Sequence, residues 1–263
     1  MRAVVLVIIA IFMLGNPVLA NETNRVKIST GSWQPYINPQ GQPLGSAGEL
    51  LRQLFSQNDT DINWQYQNFD LAYQQVQQAQ KLAAYPYFLT PQRSEEVLFS
   101  AAIFNVTSHI YYNRQYNDNI EANTLENHRI GKVAGYSYGT EIDKLVNSAM
   151  VIATEKQALI ALLNNEIDYL PMTESVMNTL LIEQFPQRML LVKPLENMTG
   201  KASLHLIAAK TAQGEALITQ LNQLLRQAKN LQSLQASPIQ LPNKPDIARL
   251  ISAEGYPVIL GQS

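Results

Sequence analysis

Apolar positions along the chain switch between a spacing of two and a spacing near 3.6, which separates strands from helices. Val26 to Thr30 alternates as a strand, and Ala47 to Gln57 reads as a helix with Leu50, Leu51, Leu54 and Phe55 on one face. Ile62 to Tyr66 predicts a second strand. A helix follows from Asp70, with Tyr73, Val76, Ala79 and Leu82 at helical spacing and glutamines such as Gln74, Gln75, Gln77 and Gln78 outward. An apolar stretch from Leu82 to Tyr85 leads to Thr90-Pro91-Gln92-Arg93, which has the form of a helix start: Thr90 as N-cap and Pro91 at the first helical position. Beyond it the pattern predicts a strand over Ile130–Ala134, a glycine turn, a helix from Thr140 and a strand over Met150–Ala153. Thr154-Glu155-Lys156-Gln157 forms a capping box opening a helix through Leu163. Then come a strand over Tyr169–Met172, a helix from Glu174, and strands over Met189–Val192 and Leu204–Ala209. The last strong helix, Glu215–Ala228, places Leu217, Ile218, Leu221, Leu224 and Leu225 on one face.

Strands separated by helices of this length imply βαβ units and mainly parallel sheets. The segments Ile103–Asn113 and Lys201–Lys210 mix polar and apolar residues. Each is readable as a strand crossing between two lobes, which leaves about residues 114–200 as an inserted second lobe. No repeat of fixed short period is visible.

The start of the chain changes this picture. Arg2, the twelve-residue apolar run Ala3–Leu14 and the sequence Val18-Leu19-Ala20 have the layout of a secretory signal peptide cut after Ala20. The run is too short to cross a bilayer core, which takes about 20 residues. Residues 21–263 are then a soluble chain, long enough to bury a core without disulfides, and the sequence has no Cys. That absence also removes thiol chemistry. Three scattered histidines (His109, His128, His205) argue against a zinc site, and a net charge of −2 argues against nucleic acid.

Several local motifs, in order, resemble the bacterial extracellular solute-binding proteins of family 3, the amino-acid-binding type of periplasmic receptor. Val26-Lys27-Ile28-Ser29-Thr30 with Trp33-Gln34-Pro35-Tyr36 is similar to that family's first strand and aromatic-proline loop. Gly45-Ser46-Ala47-Gly48-Glu49-Leu50-Leu51 resembles its entry into the first helix, and Thr90-Pro91-Gln92-Arg93 its T-P-x-R signature. Gly135-Tyr136-Ser137 resembles its second-lobe glycine-hydroxyl turn. Leu162-Leu163-Asn164-Asn165-Glu166-Ile167-Asp168-Tyr169 resembles its L-x-x-G-x-x-D approach to the return strand. The resemblance covers nearly all of the chain after Ala20. It implies an α/β, two-lobed fold, each lobe a mainly parallel sheet flanked by helices, joined by two crossing strands. Lobe 1 would comprise residues 21–108 and 205–263, and lobe 2 residues 109–204. The implied protein is a periplasmic monomer without cofactor or catalytic residues, capturing an amino acid or related carboxylate by lobe closure. Its partner would be an ABC-type permease or a membrane sensor.

The implied ligand contacts are Trp33, Tyr36, Phe88, Thr90, Arg93, Ser137, Thr173 and Glu174. Each also has a plain structural reading. Arg93 either forks a ligand carboxylate beside helix N–H groups or pairs with Glu95 or Glu96. Trp33 and Tyr36 are either an aromatic wall or core, and Thr90 and Ser137 are either ligand contacts or helix caps. Glu174 either holds a ligand ammonium or complements a helix N-terminus. The chain also departs from the family. Phe88 stands where amino-acid binders carry a small hydroxyl residue, Thr173 where an acid is usual, and Lys81-Leu82-Ala83-Ala84 where an Asp is usual. A dehydratase on the same fold would need Glu174 or His109 as general acid. The sequence assigns no role to the tail after Pro238.

Overall fold

The computed structural model describes residues 24–40 and 44–235. The expected signal peptide and the tail from Pro238 lie outside them. Strand β1 (Asn24–Thr30) pairs in parallel with β2 (Thr60–Tyr66) and β3 (Ala83–Phe88). The connecting helices are α1 (Ser46–Ser56) and α2 (Phe69–Gln77). The predicted face of α1, Leu50, Leu51, Leu54 and Phe55, is buried. The short helix α3 (Pro91–Glu96) and strand β4 (Leu98–Phe99) lead to β5 (Phe104–Asn113). A second βαβ arrangement follows: β6 (Gly131–Val133), α4 (Thr140–Leu145), β7 (Met150–Ile152), α5 (Glu155–Leu163), β8 (Tyr169–Thr173) and α6 (Glu174–Gln184). The chain returns through β9 (Val192–Ala208) to α7 (Ala212–Gln235).

The strand order β2-β1-β3-β9-β5-β8, with β4 also on β9, forms a seven-stranded sheet. β6 and β7 pair in parallel, and a parallel bridge from Ile130 to Tyr169 joins them to β8. The end of β9 from Leu204 lies antiparallel to β3, and Ser108–Tyr112 of β5 lies antiparallel to β8. β5 and β9, antiparallel to each other, therefore connect the two parallel groups. This is the two-lobed α/β fold with two crossing strands.

Two expectations need correction. The strands predicted over Met189–Val192 and Leu204–Ala209 are the two ends of the single strand β9, with Met189–Leu191 in the turn before it. The exposed Glu196, Asn197, Thr199 and Lys201 between them break the apolar alternation. Its register against β5 also jumps between Thr199 and Pro194, and the intervening Asn197 has φ +61°. Helix α2 stops at Gln77, short of Leu82, and buries Ala72 and Val76. The N–H groups of Gln80 and Lys81 both donate to the Gln75 carbonyl, and Ala79 turns left-handed at φ +56°. That closure ends the helix although apolar residues recur beyond it.

The predicted caps are present. Thr90 Oγ1 accepts from the Arg93 N–H at 3.2 Å and Thr154 Oγ1 from the Gln157 N–H at 3.2 Å. The predicted inward face of α7 is buried against the same core as β1, β3 and β9. Among the described residues no helix is long and apolar enough to cross a membrane.

Candidate functional site

In α/β sheets the chain leaves a crevice beyond the carboxyl ends of parallel strands, where connecting segments diverge. A cavity of about 360 Å³ occupies that position here. Its border takes residues from the segments after β1, β2, β6 and β7, from the end of β3, and Arg93. Both parallel groups therefore contribute to one cleft.

On the first side, the loop after β1 is pinned by paired backbone bonds between Trp33 and Ile37, at 2.9 and 2.8 Å. This presses the Trp33 ring against Tyr36 (4.5 Å between centroids) and edge-on to Phe88 (5.9 Å). Trp33 is 4% exposed, and its indole N–H is buried without a hydrogen-bond partner. Arg93 is aimed by the Thr90 cap. Its guanidinium donates from Nη1 to the Phe88 carbonyl (3.3 Å) and from Nη2 to the Gly135 carbonyl (3.0 Å). It lies 5.5 Å from the Tyr73 ring centre and 5.8 Å from that of Tyr87.

On the second side, Gly135 at φ +73° carries the chain close to Asp70: a Cβ there would meet Asp70 Oδ1 at 2.9 Å. The Tyr136 ring stands edge-on to Trp33 across the cleft, 6.1 Å between centroids, and its hydroxyl donates to the Glu155 carboxylate. Burial and that carboxylate hold the Tyr136 phenol far above its ordinary pKa, so it remains a donor. Asp143 accepts from the Ser137 hydroxyl (2.5 Å) and from the Tyr138 N–H (2.8 Å), which fixes the glycine turn.

The predicted contacts separate into groups. Trp33, Phe88 and Arg93 border the cleft. Thr90 and Ser137 border a second cavity behind Arg93, their hydroxyls engaged as described. Tyr36 is buried behind Trp33, against Phe104. Thr173 and Glu174 border neither cavity. Thr173 is fully buried with its hydroxyl 3.4 Å from that of Ser108, because the end of β8 faces β5. The Glu174 carboxylate lies 3.8 Å from His109 Nε2, so neither candidate general acid borders the cleft. The cleft carboxylates are Asp70 and Glu155. The sequence marked both only as helix starts. Their position directly after parallel strands was the available signal, since α/β clefts form there.

Asp168, in the predicted L-x-x-G-x-x-D motif, has an architectural partner. It accepts from Arg129 Nη2 at 2.5 Å, from Nε at 3.2 Å and from the Arg129 backbone N–H at 2.8 Å. The Arg129 bonds hold its pKa below the ordinary value. Asn165, at the motif's glycine position, has φ +59°, a conformation that asparagine tolerates.

The chain resembles an ABC uptake transporter substrate-binding protein from Streptococcus pneumoniae with bound histidine: 18% identity, 88% of this chain and 93% of that one covered, TM-score 0.67. It also resembles the arginine-, lysine-, histidine-binding protein ArtJ from Geobacillus stearothermophilus (17% identity, 86% and 99% covered, TM-score 0.66). A histidine kinase sensor domain with similarity to periplasmic binding proteins matches at 14% identity, over 84% and 99% of the two chains, with a TM-score of 0.66. At such identities the likeness establishes the fold. No curated protein sequence matches the chain. The family model for bacterial extracellular solute-binding proteins, family 3, matches residues 27–237. With the cleft at the strand ends, and a match over most of its length, the chain belongs to family 3 of the bacterial extracellular solute-binding proteins.

Proposed function

We propose that this protein captures an amino acid or a related small carboxylate in the periplasm by closing two lobes over it, and delivers it to an ABC-type permease. The observation that carries the reading is the position of Arg93. It borders a cleft fed by both parallel groups and donates across it to Gly135. A guanidinium has five N–H donors, so those beyond the two given to carbonyls are available to a carboxylate. The lobe boundaries fall near 108/109 and 204/205, in keeping with β8 pairing from Ser108 and β3 pairing from Leu204. A solute touching both lobes binds the closed form better and shifts the population toward it.

Calorimetric titration of each common amino acid tests this. At least one is expected to bind one-to-one, with Arg93→Ala weakening it roughly 30-fold or more. Binding by none, together with native mass spectrometry showing no retained small molecule, overturns the reading. Export is expected to follow cleavage after Ala20, so the intact mass of the periplasmic form should begin at Asn21. The likeness to a kinase sensor domain favours one second reading, delivery of the closed state to a membrane sensor. Crosslinking in the native host separates a permease partner from a sensor.

A further inference from the structure

Building on the reading as a solute receptor, we infer that the solute carries a cationic side chain, an ammonium or guanidinium beyond any α-ammonium, and that the cleft rejects solutes of net negative charge. Three charged side chains border the cleft: Arg93, Asp70 and Glu155. Arg93 gives two N–H groups to backbone carbonyls and lies near the Tyr73 and Tyr87 rings, so its charge is already partly matched within the protein. The two carboxylates are matched less directly, by their places in the first turns of α2 and α5. Neither Asp70 nor Glu155 takes part in an ion pair among the described residues, and the bond recorded at the Glu155 carboxylate is from the neutral Tyr136 hydroxyl. Lys156, adjacent in sequence, does not border the cleft; it borders a separate, smaller cavity that Glu155 also lines. Two carboxylates against one guanidinium leave the cleft with an excess negative charge.

The rings reinforce the choice. Phe88 stands at 78° to Trp33 and Tyr136 at 88° to it, and all three rings border the cleft. A ring face open to the cleft attracts a cation, and an organic cation held there loses little by leaving water if a carboxylate is beside it. An anion meets the same faces with the opposite sign.

The test titrates the full-length secreted chain with L-arginine, L-lysine, L-glutamine and L-glutamate. A cationic member should bind at least about tenfold more tightly than glutamine, and glutamate should bind weakest. Glu155→Gln keeps an acceptor for the Tyr136 hydroxyl and should weaken the cation at least about tenfold, a larger loss than it causes for glutamine. The exposed Asp70→Asn should weaken it about threefold, and provides a readout should the Glu155 variant fail to fold. Glutamine or glutamate binding as tightly as the better-bound cation, or a cation affinity unchanged in both variants, overturns the inference while the receptor reading stands. Binding by none of the four, nor by any other common amino acid, overturns both.

Discussion

The two sides of the cleft are held in different ways. The first side is built by packing. β3 is buried at every position, Trp33 and Phe88 are 4% and 7% exposed, and Tyr85 is fully enclosed, its hydroxyl on the Ala47 carbonyl at 3.2 Å. The second side hangs on strands of three residues, and on the outer one Met150 and Val151 are more than half exposed. There the cleft residues are positioned by side-chain hydrogen bonds: Tyr136 to Glu155, Ser137 and Tyr138 to Asp143, and the Val133 N–H to the Tyr138 hydroxyl at 2.8 Å. Packing is insensitive to charge and intolerant of lost volume, whereas hydrogen-bonded turns respond to protonation and to the loss of one acceptor. One side therefore supplies shape, and the other supplies adjustable polarity.

Substitutions can break this contrast. The largest effect is expected from Trp33→Ala, which removes a buried ring touching Tyr36, Phe88 and Tyr136. Denaturant unfolding should show a loss of about 3–5 kcal/mol. A loss below about 1 kcal/mol would mean that packing does not hold the first side. Asp143→Ala should cost less, about 1–3 kcal/mol, because it leaves the Ser137 hydroxyl and Tyr138 N–H without their acceptor. It should also weaken solute binding by loosening the glycine turn. Unchanged stability and affinity would show that the turn is held by Gly135 and Gly139 alone.

The same contrast explains what the sequence made legible. Shape determined by packing leaves a periodic trace, so the faces of α1 and α7 and the Thr90 and Thr154 caps were readable, as was the T-P-x-R arginine at the cleft. Polar positioning leaves no period. Glu155 looks like an ordinary first-turn residue until folding brings Tyr136 to it, nineteen positions away. Glu174 looked equally suited to a ligand ammonium, yet the path of β8 leaves it beside His109. The continuity of β9 was hidden for a related reason: polar residues interrupt its apolar pattern midway, where the register jumps.

The smallest effect sharpens the contrast by pH. If polar bonds hold the second side, acid should remove part of its stability through a carboxylate that can be named. Asp168 pins β8 beside β6 through three bonds from Arg129, and its own N–H donates to the Arg129 carbonyl at 2.7 Å. Its folded pKa lies below the ordinary 3.8. A depressed carboxylate contributes stability that is fully present above the unfolded value and is lost as pH falls through the folded one. Asp168→Asn should therefore be less stable than the parent by about 1 kcal/mol at neutral pH, a modest figure because the Arg129 side chain is half exposed. The gap should close only below about pH 4. His205, buried on β9 and depressed below 6.5 chiefly by desolvation, weakens both proteins as pH falls through its own range, and cancels in the difference. Chemical denaturation of the pair from neutral pH to pH about 3 measures this directly. A gap that persists unchanged to the acid end would mean that the Arg129 contacts contribute geometry and not charge, and the second side would then be no more acid-sensitive than the first.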